Sequence, residues 1–503
     1  MMNPVLGLIG LPLLTSPLAY FAGRAAFPPS ARRHAEYSRA LALIGLLAVW
    51  LWFAWVASEV SRSGTLEAVV GTIALRVDGI SLLLIAVVLT LTSVVVVYSG
   101  RYMTGEAGEE KYYALLIAMS GAMIGLACAA DLFNLWLWFE LMTISSFLLV
   151  AFYCQRGTAL EAGVKYLLQS ALGSVLVLLG IALTLAQTGS LTLASPLATE
   201  SSGVLLAAGA LFVIGFGIKI ALVPLHMWLP DAHAQAPSGI SAMLSGVVIE
   251  AGLIALLRVL VPLAGVAASW GSLLLAFGAI NMLAGNLLAL RQKQIKRLLA
   301  FSSIAHIGYI VFAFGVAFSA GSVEAAQGGF FHVLTHALMK GAAFLAAGAL
   351  LFALYIRNGR HDALMISDLA GAAHRYPLTA FCLSLALLGL GGLPPLAGFM
   401  SKWQIFAAGF DTQQPVIMAL VAFAALNSVL SLVYYAPLVN RMYREQPSSS
   451  VLHGKMIPIT MRLGVVVLTL LLVVIGLLPS LVAGLTEPAG SALINALTSA
   501  LAR

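Results

Sequence analysis

Apolar runs of about twenty residues alternate along the chain with short polar or Gly/Pro-rich breaks. A helix needs roughly 20 apolar residues to cross ~30 Å of hydrocarbon, so the rhythm predicts membrane spans. In the first half they fall at 4–22, 40–60, 79–99, 112–130, 132–154, 163–187 and 203–224. In the second half they fall at 239–263, 269–290, 297–319, 326–356, 377–403, 415–439 and 463–484. Only "GTLEAVVGTIALRVDG", residues 64–79, shows a strand rhythm, and it predicts a short hairpin. The small-residue tail after 485 predicts a short interfacial helix. The first run has no basic leading region and no small-residue cleavage site, so it is read as a retained helix.

Composition agrees with the pattern. Of 503 residues, 61% are apolar or aromatic and only 9% charged, with a mean hydropathy of +1.01. Soluble domains carry about 25% charge. The fold class expected is an all-α polytopic membrane protein of about fourteen helices.

The charges sort by connection. Nineteen of the 26 Lys and Arg residues, among them Arg156, Lys165, Lys293, Arg297, Arg360 and Arg441, fall in alternate connections. The remaining connections hold only Arg62, Arg76, Arg258 and Arg503. The positive-inside rule puts the basic set in the cytoplasm and both termini in the periplasm of a bacterial inner (plasma) membrane. The net charge of +7 is then topological, and no nucleic-acid partner is needed to explain it.

Cys128, Cys154 and Cys382 are scattered through apolar runs without a CxxC pair or ligand spacing, and are expected to be buried structural thiols. No cofactor is assigned to this chain, and redox chemistry is assigned to other chains. There is no GxxxxGK loop, no GxGxxG opening a helix and no nucleophile elbow. "GLGGLPPLAG" lies inside a span and reads as a helix break.

What chemistry there is must lie in the spans. Their ionisable residues are Glu140, Lys219, Glu250, His306, His332, His336, Lys340 and Lys402. A charge at the bilayer centre costs about 2.5–3.5 kcal/mol or more, and such residues pair with one another or mark ion pathways. Two stand beside helix breaks: Lys219 before Pro224 and Pro230, and Lys402 after Gly391, Gly392, Pro394 and Pro395. A proline within a span frees backbone carbonyls that protein, water or an ion must satisfy. His332, His336 and Lys340 recur every four residues, one stripe on a helix face and a spacing that suits a proton relay. The alternative, ion pairs and hydrogen bonds that merely hold helices together, stays open, for His306 in particular.

Paired broken helices in two halves point to a transport site. Spans four to eight and nine to thirteen are expected to form two inverted five-helix repeats, with the broken seventh span matching the broken twelfth. "FELM" opening the fifth span is loosely mirrored by "RQKQIKRLLAFSSIAHIGY" leading into the tenth. The division expected is a three-helix segment at 1–110, repeats at 111–264 and 269–440, and a C-terminal helix and tail at 441–503.

From about 79 to 440 the chain resembles the antiporter-like subunits shared by respiratory complex I, membrane-bound hydrogenase and formate hydrogenlyase complexes, and Mrp-type cation/proton antiporters. The motifs that carry the resemblance are "LFNLWLWFELMTISSFLLV", "IKIALVPLHMWLPDAHAQAPSGISAMLSGVVI", "KRLLAFSSIAHIGY", "HVLTHALMKGAAFLAAGAL" and "GLPPLAGFMSKW". The resemblance implies fourteen helices, two inverted repeats and a hydrated polar axis at the membrane midplane. It casts Glu140 as the fifth-helix glutamate that sets the protonation of Lys219, the seventh-helix lysine, with Lys402 as the twelfth-helix lysine.

One position departs from the family. Where it commonly places a lysine in the eighth helix, this chain has Glu250, which is expected to relay protons, to clamp Lys219 in a static pair, or to bind Na⁺ with backbone carbonyls. The length of the chain and Lys402 leave the smallest antiporter-like subunit of complex I, the D-type Mrp subunit, and a hydrogenase-type relative as candidate branches. Three functions follow: a proton-translocating subunit of a redox-driven complex, a Na⁺/H⁺ antiporter subunit, or a non-conducting scaffold. The chain is not expected to be catalytic alone. The expected partners are homologous antiporter-like and small membrane subunits, a peripheral redox arm, H⁺, Na⁺ in the antiporter reading, and lipid.

Overall fold

The computed structural model describes residues 4–25, 31–71, 73–193, 202–267, 269–359 and 362–502. Arg360 and Arg503, counted above among the loop charges, lie outside the described residues. Helices α1 (Pro4–Ala25) and α2 (Ala31–Ser63) precede an antiparallel hairpin, β1 (Leu66–Val70) and β2 (Ile73–Val77), in which Leu66 faces Val77. The first five-helix unit follows. It comprises α4 (Glu109–Cys128), after α3 (Gly79–Tyr102), then α5 (Leu132–Val150), α6 (Gly157–Thr188), α7 and α8 (Ser238–Leu260). The second comprises α9 (Trp270–Ala289), α10 (Ile295–Ala320), α11 (Val323–Leu354), α12 and α13 (Pro415–Arg444), with α14 (Ile459–Leu477) and α15 (Ala483–Leu501) after it.

Both α7 and α12 are broken. The halves of α7 are Gly203–Ile220 and Trp228–Gln235; those of α12 are Pro377–Gly391 and Ala397–Asp411. Counting each as one span, the described residues form fourteen, in two inverted five-helix repeats that each contain one broken helix.

Local chemistry sets several of these ends. Asp78 caps α3 by accepting from the Ser81 amide at 3.0 Å, and Asp131 caps α5 by accepting from the Asn134 amide at 2.7 Å. Gly189, at φ 66°, closes α6. The outer faces carry the apolar stripe that lipid requires: Leu168, Leu172, Val175 and Leu179 of α6, and Leu426, Val429 and Val433 of α13, are all exposed. The polar residues point inward. α11, which carries His332, His336 and Lys340, packs against α3, α8, α10, both halves of α12, α14 and α15. The stripe is therefore enclosed on all sides by protein.

Three expectations need correcting. Cys154 is exposed, because α5 ends at Val150 and the thiol sits in the turn beyond it; Cys128 and Cys382 are buried. The tail is no short interfacial helix. It forms the 19-residue α15, whose Ala489, Gly490, Leu493 and Leu497 are buried against α3 and α11. Pro230 is not a break residue: it is the third residue of the second half of α7, where its missing N–H costs no helical bond.

Candidate functional site: a buried row of ionisable side chains

The α7 break sits directly after Lys219. The helix stops at Ile220, Ala221 takes the left-handed conformation at φ 60°, and Pro224 offers no amide. A side chain from α9 satisfies the exposed backbone: Asn281 accepts from the Val223 amide at 2.9 Å and donates to the Ala221 carbonyl at 3.3 Å. Trp228 adds a bond from its indole N–H to the Ile218 carbonyl at 2.7 Å.

Lys219 is 1% exposed, and three hydroxyls meet its Nζ: Tyr166 at 2.6 Å, Thr143 at 3.0 Å and Ser146 at 3.3 Å. Tyr166 in turn stacks on Trp228, with centroids 4.0 Å apart. No carboxylate lies within 4.0 Å of this nitrogen among the described residues. Glu140 stands one turn from Thr143 on α5, half-buried, with Oε1 shielded from solvent and without a hydrogen-bond partner. Glu140, cast above as the group that sets the protonation of Lys219, makes no direct bond to it; the lysine is held by neutral dipoles.

Glu250 follows a π-helical turn, Leu244–Val248, in α8. It does not clamp Lys219. Its Oε1 lies 2.6 Å from Nδ1 of His336, and both side chains are fully buried. Glu250 Oε2 and His336 Nε2 have no partner among the described residues. The α8 backbone still closes on Lys219: a Cβ at Gly252 would stand 3.1 Å from Lys219 Cγ, which only glycine permits without displacing the lysine stem.

The row continues through histidines. The His336 and His306 rings stack at 5.3 Å, His306 Nδ1 lies 3.0 Å from His332 Nε2, and His332 Nδ1 lies 2.8 Å from Ser401 Oγ. Next in sequence is Lys402, which donates to the Leu390 carbonyl and to Ser428 Oγ, each at 2.9 Å, with Nζ 4.6 Å from the centre of the Tyr309 ring. The Leu390 carbonyl is one of those the α12 break leaves free. Gly392, at φ 81°, turns the chain there, and a Cβ at Gly398 would lie 2.1 Å from the Gly389 carbonyl oxygen. Lys340 forms a branch, donating to the Leu299 carbonyl at 2.9 Å and to Ser302 Oγ at 2.5 Å; Ser302 hydrogen-bonds Tyr435.

The structure therefore brings Glu250, His306, His332 and His336 into one cluster that ends on Ser401, the neighbour in sequence of Lys402, and Tyr309, which contacts the His306 and His332 rings, lies 4.6 Å from Lys402 Nζ. Lys219 and Glu140 stand apart from it, with no hydrogen bond bridging the two groups among the described residues. Spacing alone missed the hydroxyls that hold the lysines, although "TISS" inside an apolar run and Tyr166 were visible signs of them. His233 and Lys296, both buried, were missed as well.

A fourteen-helix bundle with two inverted repeats, each breaking a helix beside a buried lysine, is the build of an antiporter-like membrane subunit. A family model described as "NADH:quinone oxidoreductase/Mrp antiporter, TM" matches residues 129–428, and one described as "NADH-Ubiquinone oxidoreductase (complex I), chain 5 N-terminus" matches residues 66–113. The chain belongs to the NADH:quinone oxidoreductase/Mrp antiporter transmembrane family. It is 35% identical to F(420)H(2) dehydrogenase subunit N of Methanosarcina mazei, over 74% of this chain and 76% of that one. It is also 35% identical to NADH-quinone oxidoreductase subunit N 2 of Roseiflexus castenholzii, over 81% and 82%. Among solved structures it is similar to a chain of the archaeal membrane-bound sulfane sulfur reductase, with a TM-score of 0.85 at 29% identity over 99% of both chains. A chain of the Mrp complex from Dietzia matches with a TM-score of 0.85 over the full length of both chains, but at 21% identity that likeness is one of fold.

Proposed function

We propose that this chain is the proton-translocating, antiporter-like subunit of a redox-driven, multi-subunit membrane complex of the NADH:quinone oxidoreductase/hydrogenase type. The observation that carries the reading is the buried row from Glu250 through His336, His306, His332 and Ser401 to Lys402, flanked by Lys219 in its hydroxyl cage. Intramembrane ionisable groups are expensive, and here they adjoin the two breaks where backbone leaves the helical ladder and side chains must satisfy it. The named relatives that are about a third identical are subunits of dehydrogenases and oxidoreductases, which supports a redox driver over the Mrp alternative. The electron-carrying groups belong to partner chains.

The chemistry works through electrostatics. A carboxylate near a lysine favours the ammonium form, and burial favours the neutral amine. Lys219 has hydroxyl oxygens to hold its proton but, among the described residues, no ion pair to lock it. A change in the distance or protonation of Glu140 then tips Lys219 between holding and releasing. In the second repeat, imidazoles accept on one nitrogen and donate from the other, so His306 and His332, which share a hydrogen bond, pass a proton directly, while His336, stacked on His306, exchanges one with them through a water or a ring rotation that engages its unpaired Nε2. Glu250 supplies the negative charge that draws a proton onto His336, where the family commonly uses a lysine.

The test is proton and Na⁺ flux in proteoliposomes of the purified complex, with and without an electron donor, for wild type and Lys219→Ala. Proton flux that needs a donor and falls at least tenfold in Lys219→Ala is the expected result. Flux driven by an imposed Na⁺ gradient alone would move the assignment to an antiporter. Unchanged flux in Lys219→Ala would leave the chain a scaffold.

A further inference from the structure

Among the described residues no chain of hydrogen bonds carries the row to either face of the membrane, yet one buried histidine outside it has the features of a link. His233, near the end of the second half of α7, is fully buried, and neither ring nitrogen has a hydrogen-bond partner. An unpaired buried polar atom costs about 1–3 kcal/mol, and a histidine kept for packing is normally tethered through at least one nitrogen. Its ring lies flat on Phe344 of α11, with centroids 4.7 Å apart and planes 10° apart. Phe344 is one helical turn beyond Lys340.

On its other side the chain runs directly into a cavity. Ala234, Gln235 and Ala236 line a space of about 250 Å³, together with Tyr102, Arg156 and Lys296. That is room for several waters. The cavity lies where the first repeat meets the second, among the basic connections. Lys296, in the first turn of α10, is 4% exposed, and its Nζ donates to the Ala236 carbonyl at 2.5 Å. No carboxylate lies within 4.0 Å of it among the described residues. Hydroxyls fix the adjoining backbone: Tyr102 hydrogen-bonds Ser238 at 3.2 Å, and Ser241 donates to the His233 carbonyl at 3.1 Å.

We infer that this cavity, with Lys296 at its wall and His233 beyond it, is the intake through which protons reach Lys340 and the buried row from the basic face. The inference rests on the proposed translocating function. Water in the cavity exchanges protons with Lys296. When water enters beside its unpaired nitrogens, His233 takes a proton on one and gives one from the other; the Phe344 face it stacks on carries no proton, so the last step to Lys340 runs around that ring through water. No bond other than N–H and O–H is made or broken. The route suits H⁺ over Na⁺ on charge: Arg156 and Lys296 line the cavity and repel a metal cation, and Asp362, the one carboxylate among the lining residues described, is exposed.

The test has two arms. In a Cys154→Ser background, which removes the exposed native thiol, His233→Cys in the assembled complex is treated with a membrane-impermeant methanethiosulfonate in right-side-out and inverted vesicles. Reaction from the cytoplasmic side alone is expected; no reaction, or reaction from the periplasmic side, overturns the inference. In the second arm, donor-driven proton flux is expected to fall about tenfold or more in His233→Ala and to recover partly when imidazole is added on the cytoplasmic side, a rescue that a packing role would not produce. If Lys219→Ala stops flux while His233→Ala does not, the intake is wrong and the proposed function stands. If Lys219→Ala leaves flux intact, the proposed function itself falls.

Discussion

At the scale of single residues, the functional groups divide into those that announce themselves and those that do not. Lys219, Glu250 and Lys402 were legible because a charge in an apolar run is costly and rare. Thr143, Ser146 and Tyr166 were not, because hydroxyl side chains enter membrane helices at little cost and only the fold shows which of them meet a lysine. Asn281 is a similar case. It lies in α9, remote in sequence from the α7 break, yet it bonds the Val223 amide and the Ala221 carbonyl that the break exposes. Asn281→Ala removes both partners at once, at about 1–3 kcal/mol for each buried group left unpaired. A clear loss of thermal stability in detergent is expected, together with reduced proton flux, whereas Asn286→Ala, whose partners lie on α13, should spare the α7 break. Equal flux in wild type and Asn281→Ala would show that the break holds its shape without the staple.

At the scale of elements, the spans and the hairpin followed from periodicity, and the helix breaks from Gly and Pro. The π-helical turn in α8, Leu244–Val248, had only a soft marker, the Ser245–Gly246 pair, which loosens a helix without showing whether it bends, stops or widens there. The clamp at the other end of α8 had none. There Arg258 donates to both carboxylate oxygens of Asp78, at 2.9 and 3.2 Å, to Ser81 Oγ at 2.9 Å and to the Ala127 carbonyl at 3.1 Å. One guanidinium thus ties the start of α3 and the ends of α4 and α8. Burial by itself would raise the Asp78 carboxyl, but the charge and hydrogen bonds of Arg258, the Ser81 amide and the charge of Arg76 outweigh it and hold it below the ordinary value of 3.8. A depressed carboxyl stabilises the fold above its unfolded value and loses that contribution as pH falls through the folded value. Asp78→Asn should cost on the order of 3 kcal/mol at neutral pH, because it leaves Arg258 without its counter-charge. The difference in thermal stability between wild type and this variant should hold steady from pH 8 to 5 and shrink only below 3.8. A difference that shrinks between pH 7 and 5 would mean that another group governs the clamp.

For the molecule as a whole, the alternation of basic and non-basic connections now has a geometric counterpart. Asp231, at the α7–α8 end, is held by Lys165 of α6 at 3.2 Å and by Arg297 of α10, so these basic residues converge on one end of the bundle. Asp78, Arg76 and Arg258 converge on the other, beside the hairpin and α15. The sequence alone could pair connections by parity, but it could not show that α15 would cover the sparsely charged end, because a small-residue tail has no strong apolar period. From the charge bias we propose that the Asp231 end lies in the cytoplasm. On that orientation the hairpin, α15 and the C-terminus face the periplasm, and the proposed intake beside Lys296 faces the compartment from which protons are taken. Alkaline phosphatase fused after residue 502 should be active and a fluorescent protein fused there dark, while fusions in the connection between α5 and α6 at Arg156 should behave the opposite way. The reverse pattern would place the intake on the periplasmic side. The chain would then release protons where the proposal has it collect them, and an outward-pumping role would be untenable.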